Sequence, residues 1–271
     1  MGTSATTWAA TGALALLLAG CGTLPNGHAW GAGATLSPGW ERVRVSAVHA
    51  ASDAWVWAPL AGAGVLQIDN WDHRVSDWAQ RETPVFGSTS NAEHWSDDLR
   101  SSSVAAHFLT VLATPGGESG SQWLLNKAKG YSVQLAAAAV AGGMTTVLKR
   151  VTGRERPNGK DDESFPSGHA TVSAVYDRMA VENLDQIDMN HGVRTGLSVG
   201  LDALTIATSW ARVEAGAHFP SDTLVSIALG NFCGKFFTDA FLGLGDANAS
   251  FAFVPLPRGG EVRWQVGFGE R

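Results

Sequence analysis

Apolar residues recur with helical spacing along most of the chain. The repeats predict helices over roughly 59–68, 71–80, 96–113, 121–151, 167–182, 192–214 and 220–243. Pro59 and Pro220 stand where first helical turns would begin, and Gly153 follows the longest repeat. Ser96 is a candidate N-cap for the helix that follows it. The pattern therefore predicts an all-α fold, a bundle of helices.

Near the C-terminus the apolar residues alternate singly instead. Phe251 and Phe253 precede the turn-like sequence PRGG, and Val262 and Trp264 follow it. This alternation predicts a small β-hairpin. Because an isolated hairpin is marginal in water, we expect residues 251–271 to pack on the helical domain, or to meet a membrane or another strand.

Beyond the uncharged N-terminal segment, the longest uncharged window lies between Lys129 and Lys149 and is about long enough to cross a bilayer. It consists mostly of Ala, Gly, Thr and Ser rather than Leu, Ile or Phe, so we interpret it as a buried core helix. Later windows contain Asp202, Lys235 and Asp239, which disfavours several membrane spans. A shallow membrane-associated face is the alternative to spanning helices that the sequence leaves open.

Composition and charge limit the classes of protein to which this chain can belong. A hydrophobic fraction of 45% is enough for a substantial core, whereas only 16% of the residues are charged. The low charge and the 32 glycines favour closely packed helices of small residues, or contact with lipid. The formal net charge of −6 argues against a nucleic-acid-binding protein.

The first twenty residues carry no charged side chain and end in an apolar run directly before Cys21. The junction Leu-Ala-Gly-Cys resembles a bacterial lipoprotein signal. That resemblance implies cleavage before Cys21 and a diacylglyceryl group on its sulfur. The segment departs from such signals because it lacks the usual Lys or Arg near its start. An ordinary cleaved signal and an uncleaved anchor helix are the alternatives.

These patterns divide the chain into a signal peptide (1–20), a flexible tether rich in Gly and Pro (21–40), a helical domain (41–250) and the C-terminal hairpin. Cys233 is the other cysteine, so a chain acylated at Cys21 has no intramolecular disulfide. We expect Cys233 to be a small buried residue.

The sequence FPSGHA gives the first indication of a binding or catalytic site. Ser167 and Gly168 fall at the first turn of a predicted helix, where backbone N–H groups are free to bind a phosphate-like anion. His169 follows and could act on the group bonded to that anion. Ordinary helix capping explains the same residues when they are taken alone.

A cationic cluster precedes this sequence in an otherwise acidic chain. It comprises Lys149, Arg150, Arg154, Arg156 and Lys160. Such a local excess indicates an anionic ligand. A solvated helix end explains Lys149 and Arg150, but it does not explain Arg156 beside Pro157 in a loop.

A third group lies further along the chain. Arg212 would end one helix, His218 precedes the next, and Asp222 falls in the first turn of that next helix. The four-residue spacing lets the Asp222 carboxylate reach back to the imidazole and select its tautomer. Taken alone, the pair also fits a helix-start carboxylate beside a surface histidine.

Together the three groups resemble the three-part signature of the type 2 phosphatidic acid phosphatase superfamily, which includes class A acid phosphatases, lipid phosphate phosphatases and vanadium haloperoxidases. The matching positions are Lys149, Arg156, Pro157, Pro166, Ser167, Gly168, His169, Arg212, His218 and Asp222. One position departs from the signature: Ala211 stands where the family usually has Ser, and Ser209 lies two residues earlier. This removes a hydrogen bond that would support Arg212.

The resemblance implies an all-α helical bundle of the acid phosphatase and vanadium haloperoxidase type, and it implies a role for each matching residue. His218 would be the nucleophile, Asp222 would orient it, and His169 would be the general acid and then the general base. The phosphate would be bound by Lys149, Arg156, Ser167, Gly168 and Arg212.

No metal or other cofactor is expected, because three cationic side chains can neutralise the phosphoryl oxygens, and vanadate should inhibit. The other histidines show no close pairing of metal-ligand residues, and we interpret them as structural or surface residues: His28, His49, His73, His94, His107 and His191. The alternatives are a vanadate-dependent haloperoxidase and a non-catalytic module that binds phosphate or lipid headgroups.

The expected function is therefore hydrolysis of phosphate monoesters through a phosphohistidine. The substrate would be a lipid phosphate or a phosphorylated small molecule, and the sequence leaves both open. The expected location is the bacterial cell envelope, on the periplasmic or extracytoplasmic face of the outer membrane, with the membrane contacted through a lipid anchor at Cys21. No nucleic acid is expected as a partner, and the sequence does not indicate an oligomeric state.

Overall fold

The structure, a computed structural model, describes residues 20–24 and 27–244 and the backbone of two strands within 249–266. Eight α-helices form within these residues: α1 (Trp40–Ser52), α2 (Ala54–Leu66), α3 (Trp71–Glu82), α4 (Thr89–Ala113), α5 (Gly120–Thr152), α6 (Gly168–Leu184), α7 (His191–Glu214) and α8 (Pro220–Phe237). A 3-10 turn (Ile68–Asn70) precedes α3, and a π-helical turn (Thr238–Leu242) follows α8. The predicted all-α fold is confirmed.

Helices α6 and α8 form the centre of the bundle and pack most extensively on each other. Helices α4, α5 and α7 surround α6, while α1, α2 and α5 contact α8. At Gly230, a Cβ atom would lie 2.6 Å from the Cβ of Ala174, so the close approach of the two central helices requires glycine there. Cys233 is buried in the cluster that joins α5, α6 and α8, as predicted.

One end of the bundle collects the termini that carry the three motifs. Helices α5 and α7 end there, and α6 and α8 begin there. The loop between α4 and α5 lies at the other end, because α5 extends for roughly 40 Å between that loop and Lys149. The topology therefore brings residues distant in sequence to one end of the fold.

Part of the stretch predicted as a flexible tether is instead packed on the bundle. Trp30 is fully buried, and its indole N–H donates to the Asn183 side chain at 3.1 Å. The Trp30 ring fits against Gly130, which has no side chain to obstruct it. Gly22 and Gly117 exchange backbone hydrogen bonds of 3.2 and 2.8 Å, so the exposed Cys21 is held at the α4–α5 loop. An acyl group on Cys21 would anchor the bundle by the end opposite the motifs.

Helix α5 is not the buried core helix that its composition suggests. It is long and apolar enough to cross a membrane, and only 28% of its most apolar window is buried. Val133, Ala137 and Ala141 face the bundle, whereas Leu135 and Val147 are exposed. Only one helical face can pack on α6 and α8, so the other face is apolar and is not covered by the described residues.

Several boundaries also differ from the predictions. Helix α1 was not predicted, and α4 begins seven residues before Ser96. Ser88 caps α4 by accepting a hydrogen bond from the Asn91 N–H at 3.1 Å, which leaves Ser96 buried in the helix interior. Pro59 lies inside α2, whose N-cap is Asp53.

Strands β1 (Ala249–Leu256) and β2 (Gly259–Val266) pair antiparallel, with Ala249 opposite Val266 and Leu256 opposite Gly259. The backbone of β1 lies beside α1. The predicted packing of the hairpin's aromatic side chains and the predicted signal peptide, apart from Gly20, fall outside the described residues. Both stay predictions.

Candidate active site

The FPSGHA motif forms the start of α6. Ser167 has extended backbone angles, and its hydroxyl accepts a hydrogen bond from the Ala170 N–H at 3.4 Å. The Ser167 N–H donates to the Ser226 hydroxyl on α8 at 2.7 Å. The Phe165–Pro166 peptide is cis. The Ser167 hydroxyl accepts in its capping bond and keeps its own proton available for a ligand oxygen.

His169 is held by a carboxylate that the sequence did not indicate. Its Nε2 lies 2.8 Å from Asp97 Oδ1 on α4. Burial, followed by the positive charge of Arg212, lowers the pKa of His169 below its ordinary value of 6.5, and Asp97 opposes that shift. The imidazole is therefore oriented by Asp97, and it exchanges its proton at a lower pH than an ordinary histidine does.

His218 is almost completely buried, with 2% of its surface exposed. Its Nδ1 lies 2.5 Å from the backbone carbonyl oxygen of Ser164. Since a carbonyl can only accept, Nδ1 carries the proton and Nε2 has the free electron pair. Burial and then Arg212 hold the pKa of His218 well below its ordinary value. The neutral ring is the form required of a nucleophile.

Asp222 acts on His218 less directly than predicted. Its Oδ2 accepts from the Ser164 hydroxyl at 2.6 Å and from the Phe219 N–H at 2.9 Å, and its Oδ1 accepts from Arg154 at 2.5 Å. The carboxylate is thus engaged by other donors, while the imidazole bonds to the Ser164 carbonyl. Asp222 orients the residue that orients His218.

Arg154, a member of the predicted cationic cluster, forms ion pairs and hydrogen bonds within the fold. Its guanidinium bridges Asp222 and the buried carboxylate of Asp72, the latter at 2.8 Å, and donates to the Ser221 hydroxyl at 3.0 Å. It also lies over the Phe219 ring, 4.2 Å from the centroid. With these partners Arg154 is not available to a ligand.

Three other cations converge near His218. The nearby charges of Arg212, Lys149 and Arg156 all lower the pKa of His218, which places them in one electrostatic site. The Lys149 ammonium donates to the Glu163 carbonyl, and Arg156 Nε donates to Asp161 at 2.6 Å. The three cationic side chains can therefore bind one anion together.

Because Ala211 stands where the signature usually has Ser, Arg212 lacks one supporting hydrogen bond. Another part of the fold supplies a hydrogen bond instead. Ser96 on α4 accepts a hydrogen bond from Arg212 Nη1 at 3.1 Å. Arg212 Nε is buried and has no hydrogen-bond partner in the described part of the chain, so one donor is unused. An unsatisfied buried donor beside two further cations is suited to a phosphate oxygen.

A cavity of about 530 Å³ is lined by Lys149, Gly168 and Thr171, among others, whereas His218 and Arg212 do not line it. Arg150 also lines it, and Lys160 is exposed. Across the described ranges, no group of three His, Cys, Asp or Glu side chains is placed to hold a metal ion. His107 is buried and bonds to Gln134 at 2.9 Å.

Comparisons with known proteins agree with this architecture. Residues 130–244 match the sequence model of the PAP2 superfamily, and this range contains all three motifs. The fold is similar to that of a transmembrane PAP2-type phosphatidylglycerolphosphate phosphatase from Bacillus subtilis, with a TM-score of 0.50 and 17% identity over 68% of this chain and 92% of that one. No curated protein matches the chain. Residues 130–244 are therefore similar to the PAP2 superfamily, which agrees with the resemblance that the three motifs carry.

Proposed function

We propose that the protein is a metal-independent phosphatase that hydrolyses phosphate monoesters through a phosphohistidine at His218. One observation carries the proposal. A buried, neutral imidazole has its Nε2 electron pair free and lies among three cations that can neutralise a phosphate. The match of residues 130–244 to the PAP2 superfamily model supports hydrolysis of phosphate esters in general.

In the first step, His218 Nε2 attacks phosphorus while the bond to the ester oxygen breaks. Protonated His169 donates its proton to that oxygen, so the alcohol leaves neutral. The equatorial oxygens are bound by Lys149, Arg156, Arg212, the Ser167 hydroxyl and the Gly168 N–H. Because these groups are already in place, they stabilise the developing charge without reorganising.

In the second step, neutral His169 accepts a proton from water as the water oxygen attacks the phosphohistidine. The phosphorus–nitrogen bond breaks, inorganic phosphate leaves, and His218 is again neutral. Asp97 holds His169 in place for both transfers. The fixed cations take the part that divalent ions play in other phosphoryl-transfer sites.

Chelation tests the proposal. We expect phosphate release from a simple aryl phosphate to persist in excess chelator, because side chains supply the positive charge. Vanadate, which adopts the five-coordinate geometry of the transition state, should inhibit competitively. Loss of activity in chelator with recovery on adding a divalent ion would contradict the proposal. Peroxide-dependent halide oxidation after vanadate loading would favour a haloperoxidase.

The pH profile tests the role of Asp97. His169 must be protonated to donate, so kcat/KM should fall as pH rises through its pKa, which lies below 6.5. Asp97 favours the charged imidazole, so Asp97→Asn should lower that pKa further and move the alkaline limb to lower pH by about one unit. The acidic limb, set by His218, should not move.

The exposed neighbour Asp98 provides the control, since Asp98→Asn should leave the profile unchanged. The ionisation of the substrate is common to all three enzymes. A uniform decrease at every pH in Asp97→Asn, with the alkaline limb in place, would show that Asp97 does not set the protonation of His169.

A further inference from the structure

Glu214, the last residue of α7, is a completely buried carboxylate that the mechanism does not use. In the part of the chain that the structure describes, the groups that donate to it are uncharged. They are the backbone N–H groups of Val85 and Phe86 and the indole N–H of Trp210, the last at 2.6 Å. Burying a charge among neutral donors costs free energy, so such a residue requires an explanation.

The two backbone donors belong to the loop between α3 and α4. The Val85 N–H donates to Glu214 Oε1 and the Phe86 N–H to Oε2, each at 3.0 Å. The loop is a tight turn: Thr83 has a left-handed φ of 39°, and the Gly87 N–H donates back to the Thr83 carbonyl at 3.0 Å. Its two successive N–H groups therefore point at one carboxylate, and a surface loop is fastened by a buried side chain.

This loop leads directly into α4, the helix that supports the proposed site. Ser88 caps α4, and Asp97 lies about 14 Å farther along the same helix. Helices α4 and α7 pack on each other, and Arg212 donates to Ser96 at 3.1 Å. The last turn of α7 is thus bonded to α4 at Ser96 and to the preceding loop at Glu214. These two attachments fix the start of α4 relative to α7.

The position of α4 determines how His169 is held. The charged groups that act on its imidazole are Asp97 and Arg100 on α4 and Arg212 on α7. The hydrogen bond comes from Asp97, whose Oδ1 lies 2.8 Å from His169 Nε2. A shift of α4 by about 1 Å would break this bond, and a misplacement of that size can reduce a rate about a hundredfold.

We propose that Glu214 is a positioning residue for the general acid: by fastening the α3–α4 loop to the end of α7, it keeps Asp97 where it orients His169. The proposal rests on the function proposed above, which makes His169 the proton donor. Glu214 and Arg212 are two residues apart on one helix and project from nearly opposite sides of it. The effect of Glu214 therefore falls on proton donation rather than on phosphate binding.

The experiment compares two esters that differ in their need for a proton. The p-nitrophenolate group leaves without protonation, whereas the alkoxide of butyl phosphate must be protonated as it leaves. For both esters kcat/KM reports the step that forms the phosphoenzyme. The readout is the ratio of kcat/KM for butyl phosphate to that for p-nitrophenyl phosphate.

Glu214→Gln keeps the size of the side chain but replaces one acceptor oxygen by a donor, so one bond to the loop is lost. We expect kcat/KM for butyl phosphate to fall about tenfold or more, and that for p-nitrophenyl phosphate to change by less than about threefold. In an Asp97→Ala background, Glu214→Gln should change the ratio by less than about twofold, because both residues act through one imidazole.

Two variants separate this effect from a loss of stability. Trp210→Phe removes the third donor to Glu214 but leaves both bonds to the loop and keeps a ring near Trp78, 6.2 Å away. It should lower the thermal midpoint and leave the ratio unchanged. Glu82 is exposed at the end of α3 beside the same loop, and Glu82→Gln should change neither quantity.

Equal losses of kcat/KM for both esters in a folded Glu214→Gln protein would overturn the proposal, as would a ratio that falls equally in Trp210→Phe. If Glu214→Gln does not fold, the ratio is measured on Glu214→Asp, which keeps the charge but is too short to reach both N–H groups in place. An unchanged ratio there would also overturn it. A folded, unsubstituted protein that hydrolyses neither ester would instead contradict the proposed function itself.

Discussion

Replacing His218 with asparagine should lower kcat by about a thousandfold or more, because the group that forms the bond to phosphorus is removed. Asparagine is chosen because its side-chain amide can still donate a hydrogen bond to the Ser164 carbonyl, which His218 Nδ1 does at 2.5 Å. The local backbone should therefore keep its arrangement, and the loss should be one of chemistry rather than of folding. The measurement is single-turnover phosphate release, with the thermal midpoint recorded beside it.

His191 supplies the control, because it is exposed at the start of α7, at the end of the bundle away from the motifs. His191→Asn should retain full activity. A His218→Asn protein that folds and still turns over at a normal rate would show that another group attacks phosphorus.

Replacing Arg154 with methionine should cost about 3–5 kcal/mol in the free energy of unfolding, because breaking a buried ion pair leaves its partners uncompensated. Asp72 and Asp222 are 2% and 0% exposed, and Arg154 bridges them at 2.8 and 2.5 Å. Methionine keeps most of the apolar stem but supplies no positive charge. Urea unfolding at neutral pH measures the difference.

The loss should become smaller as pH falls. Burial already raises the pKa of Asp222, and Arg154 opposes that rise. Without Arg154 the pKa rises further, so the folded variant binds a proton more tightly than the unfolded chain and gains stability as pH falls through that pKa. Arg150→Met, at an exposed position near the end of α5, should change stability by no more than about 0.5 kcal/mol. A similar small change in Arg154→Met would show that the bridge contributes little.

The three sequence motifs could be recognised because each lies at a helix terminus with a local signal. Ser167 caps α6, Pro220 opens α8, and Lys149 lies in the last turn of α5. Such signals depend on residues within one turn of each other. The all-α fold and the similarity to the superfamily were predictable for this reason.

The supporting residues could not be found in this way. Asp97, Ser96 and Asp72 lie 72, 116 and 149 positions from the residues they contact, and no local pattern marks them. Asp72 looks like an ordinary helix-start carboxylate until the fold brings it to Ser221. Only the tertiary structure shows that α3 and α4 supply these contacts.

The predictions for two segments were wrong for a related reason. Composition identified residues 21–40 as a tether, but the burial of Trp30 against Gly130 depends on a partner a hundred residues away. The apolar pattern of α5 does not show which of its faces is covered. Burial is a property of the assembled bundle, so the local sequence of neither segment shows which of its side chains are buried.

The most direct test of the phosphohistidine mechanism is to trap the intermediate. Enzyme mixed with excess substrate and quenched in alkali, where phosphohistidine survives, should carry one phosphoryl group on the peptide that contains His218. The modification should be absent from His218→Asn. A phosphoryl group on a different residue, or rapid turnover with no phosphoenzyme on any timescale of mixing, would contradict the mechanism.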